Sequence, residues 1–524
     1  MLLSAFHTAW IGSMLPAQQR FARALSRPRE TQLAKLAAHL RAHEATAYGR
    51  AHGFESVLRA HDSLGAWQRR VPVARWGSIE PWIDRIAQGE PRVLTVEPPR
   101  CFERSGGSTS ATKLLPITPR FLSEMGESTS SWLVDLHRRH PLIGKRSYWS
   151  ISPVARAPQR TPGGIPIGMS DDAEYFGSIA RDVIARSMAV PSHVASAPDV
   201  DTWRRETVRH LLSAGDLALI SVWSPSFLTL LLEWTEANLD ALLGTIPVRR
   251  AESIRRGLDR EGRFVVEALW PELALISCWA DGPARALLPA LKCFVARTTL
   301  QPKGLLATEG VVSVPLGDRE SAPIAITSHF LEWIDLDHPT RAPLLSDALR
   351  VGGTYSPLLT TGAGLARYHL ADVVRVVGME RATPRVRFEG KLDRVSDVAG
   401  EKLHASFVER CVDDALRATV GDTRFVLLAP RARPAGYRLY VESDADEGLL
   451  SKLAHRLDRE LAASHPYSYA RDLGQLGPID ARRVARGEAR YLDAMIARGQ
   501  RAGDVKPSRL DAENGWDVIF GVPS

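Results

Sequence analysis

The sequence predicts an α/β protein with a largely parallel sheet, divided into a large N-terminal domain and a smaller C-terminal domain. Apolar, strand-like runs alternate with longer helix-like segments, the pattern of a parallel sheet covered by helices. The clearest runs are "DLALISVW" at 216–223, "ELALISCWA" at 272–280 and "RFVLLAP" at 424–430. With 524 residues, the chain is also too long for a single hydrophobic core.

The first 60 residues predict helices. The N-terminal stretch "MLLSAFHTAWIGSMLPAQQRFARAL" is mostly apolar, but it lacks a basic leader, and His7, Gly12 and Pro16 interrupt its apolar run. We therefore expect an amphipathic helix rather than a signal peptide. No apolar stretch reaches the roughly 20 residues that a membrane span needs. These features predict a cytoplasmic protein with no membrane segment.

The charge balance and the cysteines exclude several classes of function. The net charge of +7 comes from 67 basic and 60 acidic residues, a mild excess that suits an anionic substrate as well as nucleic acid. No basic stripe is interleaved with aromatic residues, so we expect no nucleic-acid partner. The 4 cysteines lie far apart without a C-x-x-C pair, which predicts neither a zinc site nor a disulfide framework.

A polar loop is the first candidate site. After "PWIDRIAQGEPRVLTVEPP", which predicts a helix followed by a strand, comes "ERSGGSTSATKLLP" at 103–116. Backbone N–H groups, hydroxyls and one lysine in such a loop suit phosphate oxygens. A Walker A loop is excluded because Thr112, not glycine, precedes Lys113. Taken alone, the loop is equally compatible with an ordinary polar turn.

A domain boundary is expected where glycine and charge rise together, in "PRVRFEGKLDRVSDVAGEKL" at 384–403. This divides the chain into domains 1–390 and 391–524. Near the C-terminus, Asp480 is expected to cap a helix that ends at Gly499. The apolar positions of that helix would be Val484, Tyr491, Leu492 and Met495, and the loop after it presents Lys506 before Pro507.

Four stretches, in order, resemble the core motifs of adenylate-forming enzymes. The polar loop resembles their phosphate loop when the two are aligned on Lys113, although Gly106 and Ser110 depart from the pattern. Four further loop positions carry matching residue types: Ser105, Gly107, Ser108 and Thr109.

The other three motifs lie downstream. "GLLATEG" at 304–310 resembles the motif whose Thr-Glu pair contacts the acyl phosphate and helps to hold magnesium, here Thr308 and Glu309. "GLARYHLADVVRV" resembles the motif whose aspartate, here Asp372, binds the ribose hydroxyls. "EGKLDRVSDVAGEKL" resembles the hinge motif, with Asp393 at the pivot and Lys391, expected to contact the nucleotide, where arginine is usual.

Longer stretches narrow the resemblance to one family. They are similar to bacterial members of the auxin-responsive Gretchen Hagen three family, whose plant members are acyl acid amido synthetases. The similarity runs from about residue 40 to about residue 510 and includes "EATAYGRAHGF", "ISVWSPSFLTLL" and "FVARTTLQPKGLLATEG". It implies a large N-terminal adenylate-forming domain with mixed or parallel sheets flanked by helices, and a smaller mobile α+β C-terminal domain.

The resemblance also implies a reaction. A carboxylate would attack the α-phosphorus of ATP, pyrophosphate would leave, and the acyl group would pass to an amino acid or another amine. Lys113 and the loop would hold the leaving phosphates, Glu309 would hold Mg²⁺ with ATP, and Lys506 would donate to the charge that develops. Two alternatives stay open: an acyl-CoA or carrier-thiol ligase of the same superfamily, and a nucleotide-binding homologue without catalysis.

Overall fold

The chain forms two compact units. In its computed structural model the described residues are 2–105, 113–150, 159–168, 186–317, 319–392, 395–396, 398–399, 401, 403–431, 434–472, 475–498, 500, 502, 505 and 508–522. The first unit comprises residues 1–221, 272–277 and 298–388, and the second comprises 222–271, 278–297 and 389–524. The last segment of the second unit thus begins beside the expected boundary, while a contiguous division at residue 390 stays a prediction.

Helices open the first unit, as the sequence predicts. They are α1 Leu2–Ala24, α2 Pro28–His43, α3 Ala47–Ala51, α4 Phe54–Arg59, α5 Ser63–Arg70 and α6 Trp76–Ala87. Helix α1 is amphipathic and buries Trp10, Met14 and Phe21. Among the described helices, none combines the length and the apolar character needed to cross a membrane.

The predicted strand at "RVLTVEPP" is wrong. Val93 and Leu94 are buried in the core, which explains their apolar character. Their segment pairs instead with the start of α3, since the N–H groups of Ala47 and Tyr48 donate to the carbonyls of Arg92 and Val93. The strand begins at β1 Cys101–Ser105 and pairs with β2 Lys113–Ile117 as an antiparallel hairpin. The polar loop is therefore the connection of a hairpin.

The first unit contains both parallel and antiparallel sheets. Strands β3 Arg146–Trp149, β6 Leu217–Ser221, β7 Leu275–Cys278 and β8 Thr299–Pro302 form one sheet, with parallel β3–β6 and β6–β7 pairs as predicted. Strands β4 Gln159–Arg160 and β5 Pro166–Ile167 extend the sheet of the β1–β2 hairpin. Helices α7 Pro119–Arg139 and α8 Val200–Ser213 complete this part.

The larger sheet corrects the expectation of a largely parallel architecture. Its order is β11-β16-β15-β13-β12, and β14 pairs with β13. The β11–β16, β12–β13, β13–β14 and β13–β15 pairs are all antiparallel. Strand β15 ends at Glu380 and β16 begins at Thr383, a connection too short for the crossover that a parallel pair needs. The strands are β9 Leu306–Ala307 and β10 Gly310–Val311, which form a separate hairpin, and β11 Ala322–Pro323, β12 Phe330–Asp335, β13 Thr354–Thr360, β14 Tyr368–His369, β15 Asp372–Glu380 and β16 Thr383–Lys391.

The second unit combines helices with small sheets. Strands β19 Phe425–Arg431, β20 Gly436–Glu442 and β21 Asp480–Arg483 form one sheet, and β17 Val395–Ser396 pairs with β18 Leu403–His404. The helices are α9 Pro225–Ala237, α10 Leu239–Leu243, α11 Val248–Glu261, α12 Val266–Leu269, α13 Leu288–Lys292, α14 Ala405–Arg417, α15 Glu447–Leu461, α16 His465–Asp472, α17 Gly487–Ala497 and α18 Trp516–Phe520.

The expected helix starting at Asp480 is wrong in its first turns. Asp480 opens strand β21, which pairs in parallel with β20. Its carboxylate accepts hydrogen bonds from Arg438 and Arg431 at 3.0 and 3.1 Å, so it neutralises two largely buried guanidinium groups instead of capping a helix. Helix α17 begins only at Gly487, after Arg486 adopts a left-handed φ of 54°. Tyr491 is nevertheless buried, as its helical spacing predicts.

A buried carboxyl on α17 makes the stability of the second unit depend on pH. Burial, reinforced by Glu233 and Glu442, raises the pKa of Glu488 from 4.5 to about 7, against an opposing hydrogen bond from Ser226. The folded state therefore keeps a proton that the unfolded chain releases, and stability falls as pH rises from 4.5 to about 7.

We expect Glu488→Gln to remove this dependence. The variant should match the wild type near pH 4.5 and exceed its unfolding free energy by about 3 kcal/mol near pH 8. Calorimetric unfolding across this range measures the difference. An equal effect of the substitution at both pH values would show that ionisation of Glu488 is not the cause.

Candidate active site

The β1–β2 hairpin presents the polar loop at one end. Ser105 pairs with Lys113 at the base of the loop, so 106–112 connect the two strands. Gly107, Ser108 and Thr109 lie outside the described residues. The Lys113 ammonium lies 5.6 Å from the ring centroid of Trp76, the first residue of α6. This cation–π contact holds the lysine beside the loop.

Thr308 and Glu309 form the two-residue turn between β9 and β10. The Glu309 residue is 9% exposed, and within the described part of the chain its carboxylate has no hydrogen-bond or ion-pair partner. The position therefore suits a cation or a ligand that supplies the missing contacts, and its oxygen donors are of the kind that Mg²⁺ prefers.

The turn rests on a buried histidine. A Cβ at Gly310 would lie 2.8 Å from Nε2 of His329 and 2.9 Å from a methyl of Leu359, so only glycine allows this approach. Nδ1 of His329 lies 2.8 Å from the carboxylate of Glu124, which also accepts from the N–H of Gly362 at 2.7 Å. Helix α7 thereby fixes both the β9–β10 hairpin and the segment that follows β13.

Asp372 opens β15 and is 2% exposed. Its backbone carbonyl accepts a hydrogen bond of 2.7 Å from the hydroxyl of Ser356. The preceding Ala371 has a φ of 57°, the left-handed region that glycine adopts without penalty. This backbone accounts for the glycine usual at the resembled position, and the alanine here bears a cost of roughly 1 kcal/mol.

A buried ion pair anchors the chain just before Asp372. Nε and Nη2 of Arg367 donate to the two carboxylate oxygens of Glu332 at 3.0 and 3.1 Å, and the two side chains are only 3% and 1% exposed. Glu332 also accepts from Trp67 at 3.0 Å and from Gln68 at 2.9 Å. Nη1 of Arg367 donates to the carbonyl of Val71 at 2.7 Å. The pair thus joins the end of α5 to strand β12 of the larger sheet.

Arg367 also connects the "GLARYHLADVVRV" motif, to which it belongs, with Lys113 of the polar loop. The N–H of Ala74 donates to the carbonyl of Arg367, and the N–H of His369 donates to the carbonyl of Ala74. Two residues beyond Ala74, Trp76 begins α6 and receives Lys113. The segment from Ala74 to Trp76 therefore contacts both the base of the polar loop and the chain that leads to Asp372.

The described candidate residues fall into two groups. Ser105, Lys113, Thr308, Glu309 and Asp372 belong to the first unit. Lys391 ends β16, is half-buried and belongs to the second unit. Asp393 and Lys506 lie outside the described residues. Across the described part of the chain, His, Cys, Asp and Glu side chains form no group of three suited to a metal ion.

Sequence reasoning missed the residues that support these positions: Trp76, Glu124, His329, Glu332 and Arg367. Arg367 lies inside the "GLARYHLADVVRV" motif, whereas no local sequence pattern marks the other four residues. Glu124, for example, meets His329 across 205 positions of sequence.

We expect Arg367→Met to unfold the first unit more readily. Removing the guanidinium leaves Glu332 buried and unpaired, which costs about 3–5 kcal/mol. Thermal unfolding should show the loss, whereas Arg41→Met, which removes an exposed arginine on α2, should change little. Equal stability of the two variants would show that Glu332 does not depend on Arg367.

Three domain descriptions of one family match the chain. They are the GH3 family N-terminal domain at residues 17–248, the GH3 family central domain at 322–391 and the GH3 family C-terminal domain at 407–514. The matches occur in family order and together span most of the chain.

Curated relatives share this arrangement at low identity. The chain is 22% identical to the probable indole-3-acetic acid-amido synthetase GH3.12 of Oryza sativa subsp. japonica, over 89% of each sequence. It is 24% identical to the indole-3-acetic acid-amido synthetase GH3.10 of Arabidopsis thaliana, over 80% of each. It is 21% identical to the 4-substituted benzoates-glutamate ligase GH3.12 of Arabidopsis thaliana, over 84% of this chain and 87% of that one.

A solved structure has the same fold. The AtGH3.15 acyl acid amido synthetase in complex with 2,4-DB superposes with a TM-score of 0.81 at 18% identity, over 96% of this chain and 95% of that one. The likeness confirms the predicted α/β class.

Proposed function

The chain belongs to the GH3 family, and from that premise we propose that it is an ATP-dependent acyl acid amido synthetase. It adenylates a carboxylic acid, releases pyrophosphate, and transfers the acyl group to an amino acid or another amine with release of AMP. Relatives named as amido synthetases favour an amine over a thiol as acceptor.

One observation carries the proposal: residue Glu309 lies largely covered in the tight β9–β10 turn, and no described residue pairs with its carboxylate. A nucleotide bound with Mg²⁺ would supply the positive charge that this carboxylate needs. Thr308 would contact the α-phosphate beside it. The metal ion, when bound, neutralises charge on the phosphates.

Lys113 and the loop act on the leaving group. The pyrophosphate portion would be bound by the ammonium of Lys113 and by the hydroxyls of Ser108 and Thr109. Ser105 and Gly107 belong to the same loop and would contribute to this binding. Phosphoryl chemistry of this kind depends mainly on positioning and on charge neutralisation. Asp372, on the rigid strand β15, would accept hydrogen bonds from the ribose hydroxyls. The enzyme thus orients the α-phosphorus toward the incoming carboxylate.

The second unit would supply the mobile part of the mechanism. Lys506 would donate to the oxygens on which charge builds during attack. Rotation about Asp393, near Lys391, would exchange the adenylation arrangement for the one that admits the amine. The acid and the amine are small molecules, and a cytoplasmic location is supported by the dependence on ATP.

The proposal is tested by incubating the protein with ATP, Mg²⁺, pooled carboxylic acids and pooled amino acids, with and without coenzyme A, and weighing the products by mass spectrometry. A product with the mass of acid plus amine minus water, formed together with AMP, supports the amido synthetase. Thioester alone would assign the chain to the coenzyme A ligases. Bound ATP without pyrophosphate release would identify a nucleotide-binding homologue.

We expect Glu309→Gln to lower the rate of acid-dependent pyrophosphate release by roughly 100-fold or more, because the amide keeps the shape but loses the charge. The matched control, Glu55→Gln, changes an exposed carboxylate on α4 and should retain full activity. A Glu309→Gln enzyme as fast as the control would contradict the role given to this carboxylate.

Lys506→Ala should slow adenylation by on the order of 100-fold to 1000-fold, since it removes a donor that acts on the developing charge. Lys452→Ala, an exposed lysine on α15, provides the control. Single-turnover measurement of acyl adenylate separates this step from amide formation. An unchanged adenylation rate would exclude Lys506 from the first half-reaction.

A further inference from the structure

A small cavity lies within the second unit, beside the start of α17. Its volume is about 30 Å³, which is room for roughly two water molecules. Two of its lining residues, Ser226 and Leu287, precede the expected pivot at Asp393 in the sequence. The others follow the pivot: Phe425, Val426, Glu488, Tyr491, Leu492, Val505, Ser508 and Arg509. A rotation about Asp393 would therefore move the two walls of this cavity apart.

The start of α17 is fixed against one wall of the cavity. A Cβ at Gly487 would lie 2.5 Å from Cδ1 of Phe425, so only glycine allows the helix to begin this close to the ring. The N–H of Gly487 also donates to the carboxylate of Glu442, the last residue of β20, at 2.8 Å. These two contacts restrict the next residue, Glu488, whose side chain lines the cavity.

The carboxyl group of Glu488 is suited to its cavity only when it is neutral. Its Oε1 is buried without a hydrogen-bond partner among the described residues, while the hydroxyl of Ser226, on α9, hydrogen-bonds to the carboxyl group. Most of the side chains around it are apolar. An ionised carboxylate needs more hydrogen bonds or a cation, and a cavity of this size holds too few waters to supply them.

The neighbouring carboxylates also oppose ionisation of Glu488. Burial raises the pKa of Glu488 to about 7, and the charges of Glu233 on α9 and of Glu442 add to this effect, against the hydrogen bond from Ser226. Burial also raises the pKa of Glu233, which faces, besides Glu442, one further carboxylate and two arginines: Glu236, Arg424 and Arg486. The group is therefore a neutral acid below pH 7.

The arginine that lines the cavity is engaged on its other side. Nη2 of Arg509 donates to the carboxylate of Asp413, on α14, at 3.1 Å, and Glu409 of the same helix also acts on its charge. Arg509 is thus neutralised by α14. Proton uptake by Glu488 is the remaining way to remove the negative charge from the cavity.

We propose that Glu488 is a proton-operated latch between the parts of the second unit that precede and follow Asp393. In its acid form the carboxyl group stays in the cavity, hydrogen-bonded with Ser226, and holds α17 against α9. When the proton passes to solvent, the carboxylate requires water, and the cavity opens by rotation about Asp393. The inference rests on the proposed function, from which this rotation is taken, and adds a control over it. Val505 and Ser508, which also line the cavity, flank Lys506 in the sequence.

The direction of the pH dependence follows from the two states of Glu488. The latched form holds the proton more tightly than the released form, in which the pKa returns to 4.5. The latched form is therefore favoured at low pH, and this preference is lost as pH rises from 4.5 to about 7. From about pH 5.5 to about pH 8.5, the ratio of released to latched molecules should rise roughly 30-fold.

The two forms are distinguished on the full chain, without substrates, by pulsed electron resonance between two spin labels. Cys293 carries the label before the pivot, because it is exposed whereas Cys101, Cys278 and Cys411 are buried. Lys452→Cys, at an exposed position on α15, provides the label after the pivot. We expect one main distance near pH 5.5 and a second distance whose share grows toward pH 8.5.

Glu488→Gln should keep the first distance at both pH values, because the amide stays neutral. The control Glu55→Gln, which changes an exposed carboxylate on α4, should respond to pH as the wild type does. Thermal unfolding confirms that each variant is folded before it is labelled. A wild-type distance that does not change with pH, or an equal change in Glu488→Gln, would overturn the latch.

Failure of the latch is distinguishable from failure of the proposed function. The spin labels report on the chain without ATP, acid or amine, so a protein that forms no amide can still show the pH response. Conversely, a protein that forms the amide but shows no pH response has the proposed function without the latch.

Discussion

The pairing of Glu332 with Arg367 is the constraint on which the rest of the first unit depends. Both groups are almost completely buried, and a buried charge is tolerated only when it is paired and hydrogen-bonded. The planar guanidinium reaches both oxygens of the carboxylate and backbone carbonyls at the end of α5. Such a pair adds little net stability over an apolar pair, but it permits only one arrangement of the segments it joins.

That arrangement positions the candidate site residues. The left-handed backbone of Arg367 and Ala371 turns the chain into β15, where Asp372 is held by the strand. The backbone hydrogen bonds of Ala74 with Arg367 and His369 fix the segment that leads to Trp76, which contacts Lys113. A second, independent support places Glu309, through the glycine that packs on His329. The candidate groups therefore stand on rigid elements, which electrostatic catalysis requires.

The sequence predicted what is encoded locally. The strands at 217–221, 275–278 and 425–431 follow from short apolar runs, and the α/β class follows from their alternation with helices. The strand expected at 92–99 was wrong because Val93 is apolar for burial in the core, and the sequence does not distinguish this from an apolar residue of a strand. The helix cap expected at Asp480 was wrong because an aspartate can serve either as a cap or as an ion-pair partner. Here the distant Arg431 and Arg438 make it an ion-pair partner.

The support of the site lies in contacts that cross long stretches of chain. Nothing near Glu332 in the sequence indicates that Arg367 will pair with it. The order of the larger sheet likewise depends on pairing between strands that are far apart in the sequence. The motif residues themselves were found through their resemblance to a family. Their number and order carried the prediction, since no single motif was specific.

The central claim is that the β1–β2 loop, the Thr308–Glu309 turn and Asp372 form one nucleotide site. The most direct measurement is a crystal structure of the full chain with Mg²⁺ and an ATP analogue that cannot be cleaved between the α- and β-phosphates. The account predicts phosphates at the loop and Lys113, the metal ion at Glu309, and ribose hydroxyls on Asp372. A nucleotide bound elsewhere in the chain, with Glu309 and Asp372 making no contact to it, would contradict the account.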